Sequence, residues 1–277
     1  MPPFIMNIDY TFHSHTYRCG HASGDIDNYV PLAIANGYRI YGVSDHVFLP
    51  GVSQPFTRGE YSCLDDYINK YLEVKKRYEK DIQMYLGFEC EYSDVFVDYY
   101  KWLLKEKGFD YLICGQHCGF DNNKDFYSYF QNDGEHLEKY RDDLIQAMRS
   151  GLFMYIAHPD IFFLVATEVT ERFKKIAKSI IDAAIKYDVV FEINMHGFFR
   201  NHNRHNKVYI DYPCEYFWSE VAKTNIKVVV GGDFHDPSEI GSEFTKRKLS
   251  ELLDKYHFNI VDIMDVYNDY QKRIKKL

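Results

Sequence analysis

FHSHTYRCGH, residues 12–21, sets three histidines and an arginine directly behind the apolar-leaning run Met6 to Phe12, within the β-rich stretch that begins NIDYTFH (7–13). On an extended strand successive side chains alternate in direction, so His13 and His15 leave the backbone on the same face and can grip one ion. The pattern returns near the other end of the chain, where IKVVVGGDFH (226–235) closes on Asp233 and His235. There Gly231 and Gly232 leave room for close backbone approach.

Five further β-rich runs share the design: YRIYGVSDH (38–46), IQMYLGFE (82–89), DYLICGQH (110–117), LFMYIAH (152–158) and VVFEIN (189–194). Almost every run is apolar until its last residue or two, then ends in His, Glu, Asn or Asp. Helical patterns fall between them, near 25–36, 60–80, 94–107, 134–150, 167–187 and 214–224, with another near 245–256. Strict alternation of strand and helix predicts parallel strands joined by right-handed crossovers, closed into a barrel or laid out as a doubly wound sheet. In a parallel barrel the strand ends share one rim, the face on which such folds carry their chemistry.

The 277 residues lie within the range of one large α/β barrel, and no repeat, low-complexity tract or linker divides them, so a single domain over 1–277 is expected. Apolar residues make up 46% and charged residues 27%, with an unusual aromatic load of 25 Tyr and 21 Phe suited to half-buried surfaces and an aromatic pocket. No window reaches the roughly 18 uninterrupted apolar residues of a membrane helix, and the start MPPFIMNIDY lacks the basic-then-apolar pattern of a leader. A cytoplasmic protein is expected. Its six cysteines, Cys19, Cys63, Cys90, Cys114, Cys118 and Cys214, are then reduced thiols. A net charge of −8 argues against nucleic-acid or anionic-membrane partners.

The strand ends gather His13, His15, His21, His46, Glu89, His117, His158, Asp233 and His235. Neutral imidazoles packed without partners are costly. Metal compensates them, and a histidine-rich shell with few carboxylates suits Zn, Fe or Mn better than Mg or Ca. Glu91 competes with Glu89 for the ligand role, since both point to one face, and Glu89 is preferred. Asp45 and Asp160 either orient a ligand or cap a strand end. CGQHC (114–118) has the look of a small zinc knuckle but lacks a second cysteine pair, so its thiols are assigned to packing. His136, His257, His202 and His205 are expected on the surface. The aromatic run DFYSYFQ (125–131) lines the pocket entrance or joins the core.

The stretches FHSHTYRCGHA, YGVSDH, LGFECEY, ICGQH, IAHPD, EIN and GGDFHDPSEIG, in this order over residues 12–241, resemble the PHP superfamily of phosphoesterases, and most closely its free-standing histidinol-phosphatases. The resemblance implies a distorted (β/α)7 barrel with a trinuclear site in its mouth. It also implies a division of ligands: His13, His15, Glu89 and Asp233 on one ion, Glu89, His117 and His158 on a second with Glu89 bridging, and His21, His46 and His235 on a third. Two or three divalent ions would be the cofactors. Three of them with two carboxylates make a local charge of about +4, enough to draw a small phosphorylated substrate to an acidic protein. The implied reaction is hydrolysis of a phosphomonoester, with L-histidinol phosphate the leading substrate, by a metal-activated hydroxide. Arg200, six positions beyond EIN, is the preferred phosphate clamp, with His196 or Arg204 in its place as alternatives and Arg18 as a further cation on the rim. A phosphatase for phosphotyrosine or a nucleotide, or a non-catalytic metal-binding barrel, are the other readings. The general acid and the oligomeric state are left open.

Overall fold

The computed structural model describes residues 8–131, 134–203 and 209–276. The first four apolar runs form β1 (Tyr10–Thr11), β2 (Ile40–Val43), β3 (Gln83–Cys90) and β4 (Tyr111–Cys114), neighbours in that order and all parallel. After β4 the chain makes a small antiparallel hairpin, β5 (Cys118–Phe120) with β6 (Phe126–Ser128). A second parallel sheet runs β7 (Phe191–Asn194), β8 (Lys227–Gly231) and β9 (Asn259–Ile260).

The run 152–158 joins the two sheets. Ile156 bridges Cys114 on one side and Phe191 on the other. Met154 N–H donates to Leu112 O at 2.7 Å, and Ile156 N–H to Val190 O at 3.0 Å. The run therefore occupies a strand's place, its backbone from Met154 to Ala157 hydrogen-bonded to the neighbours on both sides. At the far edge Ser14 bridges Phe234, and Asp233 N–H donates to His13 O at 2.8 Å. The parallel sheet thus curls until the residues after β8 meet those after β1.

Helices follow the strands and cover the outside: α1 (Ile26–Ala35), α2 (Leu64–Arg77), α3 (Val97–Lys105), α4 (Leu137–Ser150), α5 (Glu171–Tyr187), α6 (Met195–Asn203), α7 (Glu215–Val221), α8 (Glu243–Lys255) and α9 (Ile263–Ile274). In α5 the buried Phe173, Ile176, Ala177, Ile180, Ile181 and Ala184 recur at three- and four-residue spacing, the stripe an outer helix needs. The α1 start is fixed by Asp25, whose side chain accepts from Ile26 N–H, in a capping box with Asn28.

Alternation along the strands separates two apolar layers. Leu112, Cys114, Val228 and Val230 face the helices, while Tyr111, Ile113 and Val229 face inward with Phe12, Tyr85 and Tyr155. Tyr111 fills the interior beneath the strand ends: a Cβ on Gly87 would meet its ring at 2.4 Å and one on Gly42 its hydroxyl at 2.5 Å. From below, Ile263, Val266 and Tyr270 of α9 join the same inner cluster, and Leu112 N–H donates to the Tyr270 hydroxyl at 3.2 Å. The polar strand ends are left at the opposite, open end.

Three features differ from the sequence expectation. Residues 195–203, which fall in none of the helices foreseen, form helix α6, started by Asn194, whose side-chain oxygen accepts from Gly197 N–H at 3.1 Å. Strand β9 adds an edge to β8, and residues 118–128, among which no strand was foreseen, form a hairpin. In DFYSYFQ, Phe126 is exposed while Tyr129 is fully buried against Asp143 and Gln116. All six cysteines are free thiols, and no helix among the described residues is long and apolar enough to cross a membrane.

Candidate metal centre

β3 delivers Glu89 on its inward face, and that carboxylate is the hub of the open end. Oε1 lies 2.7 Å from His158 Nε2, 3.4 Å from His13 Nε2 and 3.4 Å from His117 Nε2; Oε2 lies 3.0 Å from His46 Nδ1 and 3.5 Å from His15 Nε2. Asp233 Oδ1 is 2.9 Å from His15 Nε2 and 3.3 Å from His13 Nε2. His235 and His21 meet at the rim with their Nε2 atoms 3.2 Å apart. All nine residues gathered from the strand ends therefore lie in one continuous cluster. Their donor atoms fall into sets close enough for single ions: His13, His15 and Asp233; His13, Glu89 and His158; His15, His46 and His235; and His46 and His117 with Glu91. Cys19 and Asp45 come as near to His15, but burial raises the Cys19 thiol far above its ordinary value, which keeps its proton on.

Behind this layer a second set of groups fixes the rings. Glu192 accepts from His13 Nδ1 at 2.9 Å, so the His13 Nε2 lone pair is the one turned to Glu89 and Asp233. Asn194 donates to both Glu192 and Asp233, at 3.2 and 3.0 Å. Glu91 Oε1 lies 3.2 Å from His117 Nδ1 and receives the fully buried Arg58 guanidinium at 2.9 Å. Burial opposes the Glu91 charge, but Arg58 and His117 outweigh it and hold the carboxyl down at about 2. Asp45 accepts from Thr16 Oγ1 at 2.5 Å and lies 3.5 Å from His15 Nδ1. Asp160 belongs to the fold instead: it accepts from Cys214 N–H at 2.6 Å and Trp218 Nε1 at 3.1 Å, anchoring α7, while burial lifts it to about 7.

The donor chemistry fits divalent ions. His21 Nδ1 donates to Cys19 O and His235 Nδ1 to Asp233 O, so two Nε2 lone pairs face each other across 3.2 Å. Burial above all lowers the pKa of both rings and keeps them neutral. Buried His13 Nε2, His15 Nε2, His46 Nδ1 and Glu89 Oε2 have no hydrogen-bond partner. Burial alone would raise Glu89, yet His117, His13 and His46 hold it well below the carboxylate range. Orphaned lone pairs around two low-pKa carboxylates are compensated by cations.

Two features of the backbone serve the cluster. His158 and Asp233 adopt φ of +31° and +52°, left-handed conformations that concentrate at functional sites. A Cβ on Gly115 would lie 1.8 Å from Glu89 Oε1, and one on Gly231 1.6 Å from Glu192 Oε1. Each carboxylate lies across the bare backbone of the neighbouring strand. Gly115→Ala is accordingly expected to displace Glu89 and weaken metal binding by about 10–100-fold, with little change in the urea midpoint because the displaced atoms end a side chain. Metal titration of the purified variant checks this, and unaltered affinity would contradict it.

The cations foreseen for the substrate are dispersed. His196, on α6, lies beside the cluster: its ring centre is 4.6 Å from that of His235, and its Nδ1 is 2.8 Å from Glu239 Oε2. Arg200 is exposed one turn further along α6 and has no ion-pair partner among the described residues. Arg18 does not offer a free fork, because Asp25 takes it through two bonds of 2.5 and 3.1 Å and Asp66 through two more at 2.8 and 3.1 Å. Arg204 and His205 lie outside the described residues. Sequence reasoning gave no role to Glu192, Arg58 or Glu239. Two of these stand inside stretches already singled out, Glu192 in EIN and Glu239 in DPSEIG, whereas Arg58 lies in a loop with no local signal.

The PHP domain model matches residues 11–196. The chain is 28% identical over 239 residues to a Deinococcus radiodurans protein named "Probable histidinol-phosphatase", covering 84% of this chain and 88% of the relative. It is 23% identical over 279 residues to a Schizosaccharomyces pombe protein of the same name, covering 88% and 85%. Its fold is similar to a solved Lactococcus lactis histidinol phosphate phosphatase complexed with zinc, L-histidinol and phosphate, with a TM-score of 0.66, 18% identity, and coverage of 91% of this chain and 95% of that one.

Proposed function

Since the chain belongs to the PHP domain family, we propose that it is a metal-dependent phosphomonoesterase whose substrate is L-histidinol phosphate, serving histidine biosynthesis. The carrying observation is Glu89, one buried carboxylate with five imidazoles within 3.5 Å, several of their nitrogens without partners. The names of the relatives from Deinococcus radiodurans and Schizosaccharomyces pombe, and the zinc, histidinol and phosphate held by the Lactococcus lactis protein, support the same reading.

His13, His15, Glu89 and Asp233 would hold one ion, Glu89, His117 and His158 a second, and His21, His46 and His235 a third, of zinc, iron or manganese. Such ions supply Lewis acidity toward phosphate and lower the pKa of water from 15.7 toward about 7. The chain's own part is to hold that centre rigid. Glu192 and Glu91 keep His13 and His117 in one tautomer, and Asn194 ties Asp233 to Glu192. In the net reaction the water oxygen forms the new bond to phosphorus, and the ester oxygen leaves with its electron pair and gains a proton. Arg200 and His196, four residues apart on one face of α6, are the groups assigned to the non-bridging phosphate oxygens. Curling of the parallel sheet supports a distorted (β/α)7 barrel, with the Ile156 run as the fifth of seven strand positions in a single domain.

The test is initial-rate release of phosphate from L-histidinol phosphate, phosphotyrosine and a nucleoside monophosphate, before and after chelation. The reading expects histidinol phosphate to lead by at least about tenfold in kcat/KM, loss of activity with chelator, and restoration by Zn or Mn. Equal turnover of all three would contradict the substrate, and turnover unaffected by chelation would contradict the chemistry.

A further inference from the structure

Phe56 is 80% exposed, and its backbone φ is +65°. Single exposed apolar residues are ordinary on protein surfaces, but a bulky residue in the left-handed region is an outlier. Water and backbone geometry both disfavour phenylalanine here, so neither packing nor local structure accounts for it.

Its address is the mouth of the metal centre. A Cβ on Gly20 would come 3.0 Å from Phe56 Cα and 3.8 Å from its ring carbon Cδ1. Gly20 immediately precedes His21, whose Nε2 faces His235 at 3.2 Å. The turn that carries Phe56 is anchored from beneath. Thr57 and Arg58 N–H groups both donate to Gln54 O at 3.1 Å, and Arg58 Nε donates to Gln54 Oε1 at 2.5 Å. The same guanidinium reaches Val47 O at 3.0 Å and Glu91 Oε1 at 2.9 Å, and Glu91 in turn lies against His117. The backbone that carries this exposed ring is therefore tied to the histidine cluster through a chain of buried polar contacts.

We propose that Phe56 is a specificity-determining residue of this site: its ring stacks on the planar ring of an alcohol whose phosphate lies at the histidine cluster, selecting phosphomonoesters of aromatic or heteroaromatic alcohols. This rests on the phosphomonoesterase reading and adds the group that discriminates among such esters. Aromatic rings stack favourably in offset geometry, and a phenyl ring has only two side-chain torsions to lose on doing so.

The experiment compares the parent with Phe56→Ala, Phe56→Tyr and Phe56→Gly, using L-histidinol phosphate and the ring-free glycerol 1-phosphate. Expected for Phe56→Ala is a KM for histidinol phosphate raised about five- to tenfold with kcat nearly constant, and unchanged kinetics for glycerol phosphate. Phe56→Tyr keeps the preference. Phe56→Gly loses it while melting at or above the parent temperature, since glycine accepts the left-handed backbone without strain. In parallel, calorimetry follows L-histidinol and inorganic phosphate separately, so that a protein without turnover still reports. Weaker L-histidinol binding in Phe56→Ala with phosphate binding intact supports the stacking role even if hydrolysis fails. Equal losses for both esters, an unaltered histidinol phosphate KM, or a parent that does not bind L-histidinol would overturn it.

Discussion

Glu89→Gln is expected to lower kcat by about 10³-fold or more while the protein stays folded. The amide fills the same volume, but it removes the negative charge shared by five imidazoles and turns an acceptor into a donor facing His158 or His46, at 2.7 and 3.0 Å in the parent. A bridging carboxylate lost from a polynuclear centre forfeits several kcal/mol of transition-state stabilisation, and each 1.36 kcal/mol is about tenfold in rate. The variant should purify with fewer transition ions per chain, read by elemental analysis beside its initial rates. A Glu89→Gln protein within tenfold of the parent and carrying the same metal would remove Glu89 from the centre of the account.

Arg58→Met should cost about 3–5 kcal/mol in folding stability, because it leaves the carboxylate of Glu91 buried and without its cation. Adding Glu91→Gln should return most of the loss, since the pair is then removed together. A pH signature accompanies the stability change. The folded Glu91 carboxyl titrates at about 2 against an ordinary 4.5, so it contributes stability that is fully present above about 4.5 and disappears as pH falls toward 2. In Arg58→Met, that acid-linked part of the stability profile flattens. Urea unfolding at several pH values, for the parent, the single variant and the double variant, checks both parts. A single variant as stable as the parent would show that Arg58 does not sustain Glu91.

Much of this site was legible because strand periodicity and metal chemistry reinforce each other. An H-x-H or D-x-H at a strand end needs no tertiary information to place both side chains on one face, and the structure sets His13 and His15 around Asp233. Strand identity was legible where apolar runs are long, as in β3 and β8. The fifth run, 152–158, reads as a strand from its composition, and Met154 to Ala157 hydrogen-bond to the neighbours on both sides. Helix α6 escaped notice because MHGFFRNHN is short, sets only Met195 and Phe198 against the core, and depends on the Asn194 cap. The second layer was harder to read. Glu192 sits among apolar residues of β7, where a carboxylate signals a partner without naming it, and His13 is 179 positions away. Arg18 and Arg58 show the converse. Both are arginines in loops near the rim, and contacts 48 and 33 positions away decide that one is bound by Asp66 and the other buried on Glu91. The left-handed backbone at His158, Asp233 and Phe56 leaves no trace in residue type.

The most direct measurement is the stoichiometry of transition ions bound to the folded chain, by native mass spectrometry with elemental analysis on protein purified without chelators. Two or three ions per chain, falling in Glu89→Gln, is the predicted result. A natively folded chain that takes up no zinc, iron or manganese at any concentration would contradict the account at its foundation.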